Sequence, residues 1–342
     1  MNFTLLRLLL ALSVLFYHYH PITGYAGGAH GMSATVAVQA FFVVSGWIVT
    51  ASYEASRTTA AFYVRRFARL YPLYAVVILL QAAFVVVWAA APPDTGSELL
   101  HYLAANLGFA NFLKPTLLGF LDGARVPQIN PSLWTLKIKV LFYLSVPLWV
   151  LLARRFGWHA LIGLFVASTL CYYAAEPLEA GWAKQLPAQL RFFVAGMVCR
   201  RLLAGGSPRG SMARALFGVT GVAGLVLAQF FDSSDAMAAF QPVFVAAFVA
   251  AAASLLPVLR GLPDISYGVY LLHAPVIQFT DQTRWLTPGA SGLTAVFLLT
   301  VGLSLVAHYV IERPAIRAGH RWSSSLSSRP RSLVRADPQE TA

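Results

Sequence analysis

Ten apolar stretches of helix length constrain this chain more than any other feature. They run approximately 5–20, 35–53, 72–92, 133–153, 158–176, 187–203, 214–231, 237–257, 264–281 and 290–312. Several reach the roughly 20 residues that a hydrocarbon core about 30 Å thick demands. The shorter ones complete a span with polar flanks. Hydrophobic residues make up 58% of the 342 and charged residues only 11%, with a mean hydropathy of +0.65. That charged share is well below the roughly 25% of ordinary soluble domains. Water cannot solvate such a surface, whereas lipid can. The expected fold class is all-α, a polytopic transmembrane helical bundle of about ten helices.

Charge gives the bundle an orientation. The formal net charge is +12, which in a soluble domain would suggest a nucleic-acid partner. No basic stretch interleaved with aromatics supports that, so no nucleic acid is expected. Cytoplasmic loops of membrane proteins carry an excess of Lys and Arg. With ten spans and the N-terminus inside, 17 of the 25 Lys and Arg fall on the cytoplasmic side and four outside. The other four, Arg7, Lys137, Lys139 and Arg191, lie within spans. Both termini are then cytoplasmic. The first apolar stretch could pass for a signal peptide cleaved near Ala26. Arg7 inside it and His18 at its end instead favour a retained helix. Cys171 and Cys199 lie in apolar stretches without metal-ligand spacing and read as packing residues.

Two regions are not helix-like. The long outer loop from Pro92 to Pro131 holds Asp94, Glu98, His101 and Asp122, with Leu99–Phe112 as a short surface helix. Loops of this length are functional or disordered. The tail from about Ala318, rich in Ser, Arg and Pro, reads as disordered. No repeat of 20–50 residues is visible.

Ionisable groups inside a bilayer cost about 2.5–3.5 kcal/mol each on insertion scales and so mark candidate sites. Arg7 and His18 are eleven residues apart, which places them on one helix face about 16 Å apart along the axis. The loop Phe62–Pro72 carries Arg65, Arg66 and Arg69. Such a cluster suits a nucleotide phosphate or, equally, lipid head groups. Lys137 and Lys139 point to different sides of the fourth helix, Lys139 deeper. All 13 acids fall in loops, at span ends or in the tail, so no fixed anion is expected to balance the buried cations. His273, His308 and Glu312-Arg313-Pro314 complete the polar set. A lone His beside a Pro kink reads most simply as a hydrogen bonder between helices.

Taken together, these motifs resemble the acyltransferase-3 family of membrane-bound O-acyltransferases. The resemblance rests on Arg7 and His18 with ten residues between them, on Val38–Trp47, and on Arg65/Arg66/Arg69/Pro72. It continues through Leu133-Trp-Thr-Leu136 with Phe142-Tyr143, Ser266–His273 and Ile311-Glu-Arg-Pro314. It implies an acyltransferase-3-like transmembrane domain over 1–317 and a cytoplasmic tail over 318–342. It implies transfer of an acyl group, usually acetyl, from cytoplasmic acetyl-CoA to a hydroxyl of a carbohydrate or lipid-linked glycan. The acyl-CoA is then a co-substrate, with no permanently bound cofactor and no metal. The setting implied is the bacterial inner membrane. By that resemblance His18 is the general base, with Arg7 and the position of Lys139 also catalytic. Arg65, Arg66, Arg69 and Tyr71 hold the acyl-CoA. Ser45, Trp134, Tyr143, His273, Glu312 and Arg313 are supporting residues. The family carries a glutamate five residues after the tryptophan; here that position is Lys139, a reversal of charge that bears on activity. The competing readings are a catalytically inactive relative and a glycan or lipid transporter.

Overall fold

The computed structural model describes residues 2–28, 33–88, 95–178, 180–203, 235–259 and 261–327, with isolated positions between 216 and 226. Every extended element among them is a helix. Eleven matter here: α1 (Phe3–Thr23), α2 (Ala34–Glu54), α3 (Thr59–Trp88), α4 (Thr95–Leu107), α5 (Trp134–Phe156), α6 (Trp158–Ala175), α7 (Leu186–Leu203), α8 (Asp235–Leu255), α9 (Ser266–Gln282), α10 (Ala290–Ala307) and α11 (Arg313–Ser327). Seven segments among the described residues are long and apolar enough to cross a membrane. The predicted stretch 214–231 lies mostly outside the described residues. Leu79, Leu80, Val87 and Leu151 expose large apolar side chains, as a lipid-facing surface requires.

The bundle is densest where α2 packs on α7, followed by α3 on α11, α6 on α7 and α1 on α9. α7 and α9 are among the helices most enclosed by protein. Helices surrounded by protein rather than lipid can carry polar groups, because partners replace water. Arg191 of α7 is 1% exposed. Its guanidinium donates to the Ala238 carbonyl at 3.0 Å and lies over the Tyr172 ring. On the other side of α7, Phe193 stacks between Phe42 and Phe142.

Three sequence expectations change. Residues 62–72 are not a loop: the arginine run lies within α3, a 30-residue helix that continues through Pro72. Residues 318–327, expected to be disordered, belong to α11, which packs along α3; residues 328–342 lie outside the described residues. The last span is joined to α11 by a π turn, His308–Glu312. Pro314 supplies no N–H and its ring crowds the carbonyl four residues earlier, which widens the preceding turn. That wide turn leaves Glu312 2% exposed while Arg313 faces out.

The long outer loop is anchored. Tyr102 and Asn106 of α4 are buried against α3, where the Tyr74 hydroxyl donates to the Asn106 carbonyl. Glu98 accepts from the Leu118 amide at 2.7 Å and pairs with Lys114 at 3.3 Å. The amide bond, and then the lysine, hold the Glu98 carboxyl below the usual carboxylate range. Gln278 of α9 donates to the carbonyls of Val126 and Gln128, and Asn130 donates to Leu271. The loop's return path is thereby fixed along α9.

Gly46 of α2 and Gly196 of α7 set the closest helix approach. A Cβ at Gly46 would meet the Phe193 carbonyl oxygen at 2.0 Å, and one at Gly196 the Val43 oxygen at 2.1 Å. Gly46→Ala or Gly196→Ala is expected to destabilise the protein by about 1–3 kcal/mol, the range for overpacking. A thermal melt of the purified protein in detergent measures it. An unchanged midpoint would mean that the helices are not so close.

Candidate functional site

Three helices bring charged side chains to one end of the bundle, and each is positioned by its own local chemistry. α1 is capped by Asn2, whose side chain accepts from the amides of Thr4 and Leu5. This fixes the first turn and, four residues into the helix, Arg7. α3 carries Arg66 and Arg69 three residues apart, so they share a face. Asp264 sits just before α9, where the Ser266 hydroxyl donates to its carboxylate at 2.7 Å.

These elements converge on Asp264. Arg7 reaches it at 2.8 Å, and Arg69 forms a second, short ion pair with the same oxygen. Arg69 also pairs with Glu312 at 3.0 Å. The expectation that no fixed anion balances the buried cations is therefore corrected: Asp264 and Glu312 balance Arg7 and Arg69. Asp264 escaped notice because it stands at a span end by hydropathy, and only the packing of α1 and α3 surrounds it. Its one sequence signal is its place two residues before Ser266-Tyr-Gly-Val-Tyr.

A cleft opens beside this network. Arg7, Ser45, Arg66, Arg69, Lys139 and Tyr143 all line it, so it unites six of the residues expected to form the site. Ser45 donates to the Phe41 carbonyl at 2.7 Å. Arg66 donates to Ser52 at 3.1 Å, yet its Nε is buried without a partner. Lys139 lies against the rings of Phe41 and Tyr270, at 4.6 and 5.1 Å from their centres. Neither Arg66 nor Lys139 pairs with a carboxylate among the described residues. With Arg7 and Arg69 matched, these two charges are in excess, and a buried unpaired cation is costly. Such a cleft can take an anionic group.

Four expected site residues lie elsewhere. Arg65 faces α11 and donates to Ser56 and Ser323. Tyr71 stacks on Phe67 and contacts Phe109. Arg313 is exposed beside Tyr309. Trp134 lies at the far end of α5, next to Lys184.

Further along α1 and α9 a second group forms. His18 Nδ1 and His273 Nε2 are 3.0 Å apart, with the rings stacked at 5.2 Å. His273 is fully buried; its Nδ1 lies 3.1 Å from the Val269 carbonyl and its Nε2 lies 3.2 Å from the Ser132 hydroxyl. A carbonyl only accepts, so Nδ1 of a neutral His273 carries the hydrogen and Nε2 is an acceptor. His18 Nδ1 must then donate to it, which leaves His18 Nε2 with a free lone pair. A histidine held in one tautomer by a second group is the usual arrangement of a general base. His273, read from sequence as a helix-to-helix hydrogen bonder, does bond across helices, but to the other histidine. Ser132 had no separate signal beyond its place in Pro131-Ser-Leu-Trp134.

Residues 2–309 match the family described as an acyltransferase domain. The chain is similar to the acyltransferase MdmB of Streptomyces mycarofaciens, 26% identical over 321 residues that cover 83% of this chain and 81% of that protein. It is also similar to Nodulation protein 10 of Rhizobium leguminosarum bv. viciae, 27% identical over 347 residues, 92% of this chain and 93% of that one. Protein 2 in picA locus of Rhizobium radiobacter is 32% identical over 129 residues, 36% of this chain and 62% of that protein. No solved structure matches.

Asp264→Asn removes the carboxylate shared by Arg7 and Arg69. The expected cost is about 2 kcal/mol, less than the 3–5 of a fully buried pair, because these side chains remain 20–24% exposed. Thermal melting reads this out. Glu312→Gln is expected to cost less, since Arg69 keeps Asp264.

Proposed function

This chain belongs to the acyltransferase-3 family, a multi-pass membrane acyltransferase, and on that premise we propose that it moves an acetyl group from acetyl-CoA to a carbohydrate hydroxyl. The donor comes from the cytoplasm, and the setting is the bacterial inner membrane. The acceptor is a carbohydrate or lipid-linked glycan. The observation that carries this reading is the pairing, on the same helices, of an anion cleft with excess positive charge and a histidine whose tautomer leaves a free base. Arg7 and His18 stand about 16 Å apart along α1, so one extended molecule can engage both.

In this reading Arg66, Arg69 and Lys139 hold the CoA phosphates. Arg69 is kept in place by Glu312 and Asp264. The pantetheine arm runs along α1 toward His18. His18 Nε2 takes the proton of the acceptor hydroxyl as its oxygen attacks the thioester carbonyl. The carbon–sulfur bond breaks, and the departing thiolate takes the proton from His18, so an ester and free CoA result. His273 acts through His18 and is a positioning residue. It holds the ring, and its neutral Nε2 accepts the hydrogen bond that strengthens as His18 gains charge.

Positive charge at position 139 bears on both binding and turnover. Lysine adds to donor attraction, but it places a cation where the family carries a glutamate. Lys139→Glu is expected to raise kcat and also to raise the KM for acetyl-CoA about tenfold, or about 1.4 kcal/mol of ground-state binding. Thiol release from acetyl-CoA measures both. If neither value moves, position 139 is outside the site.

His18→Ala is expected to lower transfer by about 10²- to 10⁴-fold, the usual contribution of a general base. CoA binding to the purified protein should be retained. Arg66→Ala should show the reverse pattern, with weakened CoA binding. Absence of CoA binding by the unaltered protein would overturn the reading.

A further inference from the structure

A second cleft lies at the opposite end of the bundle, between the end of α4 and the start of α5. Its volume is about 370 Å³, within the range of ligand pockets. The long loop forms it: Asn111, Phe112 and Pro115 on one side, Gln128 and Asn130 to Trp134 on the other. Its lining contains no carboxylate and no Lys or Arg. Lys137 lies outside it, over the Phe112 ring at 4.3 Å.

The polar groups fall into two kinds. Asn130 and Asn106 are committed to the scaffold, Asn130 to Leu271 and Ser132, Asn106 to Tyr102 and Lys114. The side-chain amides of Asn111 and Gln128 form no hydrogen bond among the described residues, and neither does the indole N–H of Trp134. Phe112 is 60% exposed. Free amides offer a donor and an acceptor side by side, which matches adjacent sugar hydroxyls. Aromatic faces beside them suit the apolar C–H face of a pyranose ring. The cleft is also rigid: the backbone at Gln128 is pinned to α9 by Gln278.

Position decides what the cleft serves. Asn130, Pro131, Leu133 and Trp134 of its wall flank Ser132, whose hydroxyl lies 3.2 Å from His273 Nε2. That nitrogen is also the partner of His18. The wall of the cleft therefore adjoins Ser132, which links it through His273 to His18.

We propose that this cleft is the acceptor site and that it takes a neutral pyranoside, with Asn111 and Gln128 binding hydroxyls and Phe112 and Trp134 stacking on the ring. The proposal rests on the acyl-transfer reading for its role, but its ligand chemistry follows from the cleft alone. A phosphate or uronate group would find no cation in the lining itself, since Lys137 and Lys184 stand outside it, over one face of Phe112 and of Trp134 respectively.

Saturation-transfer NMR on the full chain in nanodiscs tests it, with the methyl glycosides of glucose, galactose, mannose and N-acetylglucosamine as probes. At least one should bind without donor present. In the Asn111→Ala/Gln128→Ala variant its Kd should rise about tenfold, as expected for two lost hydrogen-bonding groups. Phe112→Ser, at an exposed position, should weaken it as well. CoA binding should be unchanged in both variants, which also shows that they fold. Binding of none of the four glycosides, or binding that ignores both variants, overturns the proposal. Failure of acetyl-CoA to bind while a glycoside still does would sink the donor reading and the acceptor role with it, and leave the cleft standing as a pyranoside-binding site.

Discussion

Asp264 carries the attraction on which the rest of the bundle depends. One carboxylate receives guanidinium groups from α1 and α3, and Glu312 from the π turn takes Arg69 in addition. Charges in a bilayer are tolerated when they face the bundle interior and pair. Here the pairing fixes where four segments meet: the start of α1, the arginine turn of α3, the entry to α9 and the turn before α11. The cleft wall is the product of that meeting. Because the two carboxylates match two of the four cations, the other two face the cleft unmatched.

The far end of α1 and α9 is organised by hydrogen-bond direction rather than by charge. The Val269 carbonyl sets the tautomer of His273, and that sets the tautomer of His18. Each step follows from a group that can only accept meeting one that must donate. The same two helices thus hold an ion network at one end and a base at the other. Their close packing makes the separation between them a property of helix geometry rather than of a loop.

The boundaries of most spans could be read from the sequence, because apolar runs of helix length have one stable use in lipid. α7 and α9 are heavily buried, and burial in protein removes the need for a continuous apolar surface. The arginine run was misread as a loop for a related reason. Three cations in five residues depress hydropathy, yet Arg65 is tied to α11 and Arg69 to the carboxylates, so the helix carries them. The residues after Ala318 were misread because Ser and Arg suggest disorder when taken alone. Packed against α3, with Gly319 close to Ala68, the same residues are helical.

Fold class, the uneven share of Lys and Arg between loops, and the ordered motifs that identify the family are all legible in the sequence. Those are properties of local composition and spacing along one chain. Tertiary structure alone decided which groups meet. Arg7 finds Asp264 across 257 residues, and His18 finds His273 across 255. No periodicity encodes a partner at that separation, since it depends on which helices pack and in what register. That is why the ten apolar stretches could be drawn from the sequence, while the carboxylate that holds three of their ends together could not.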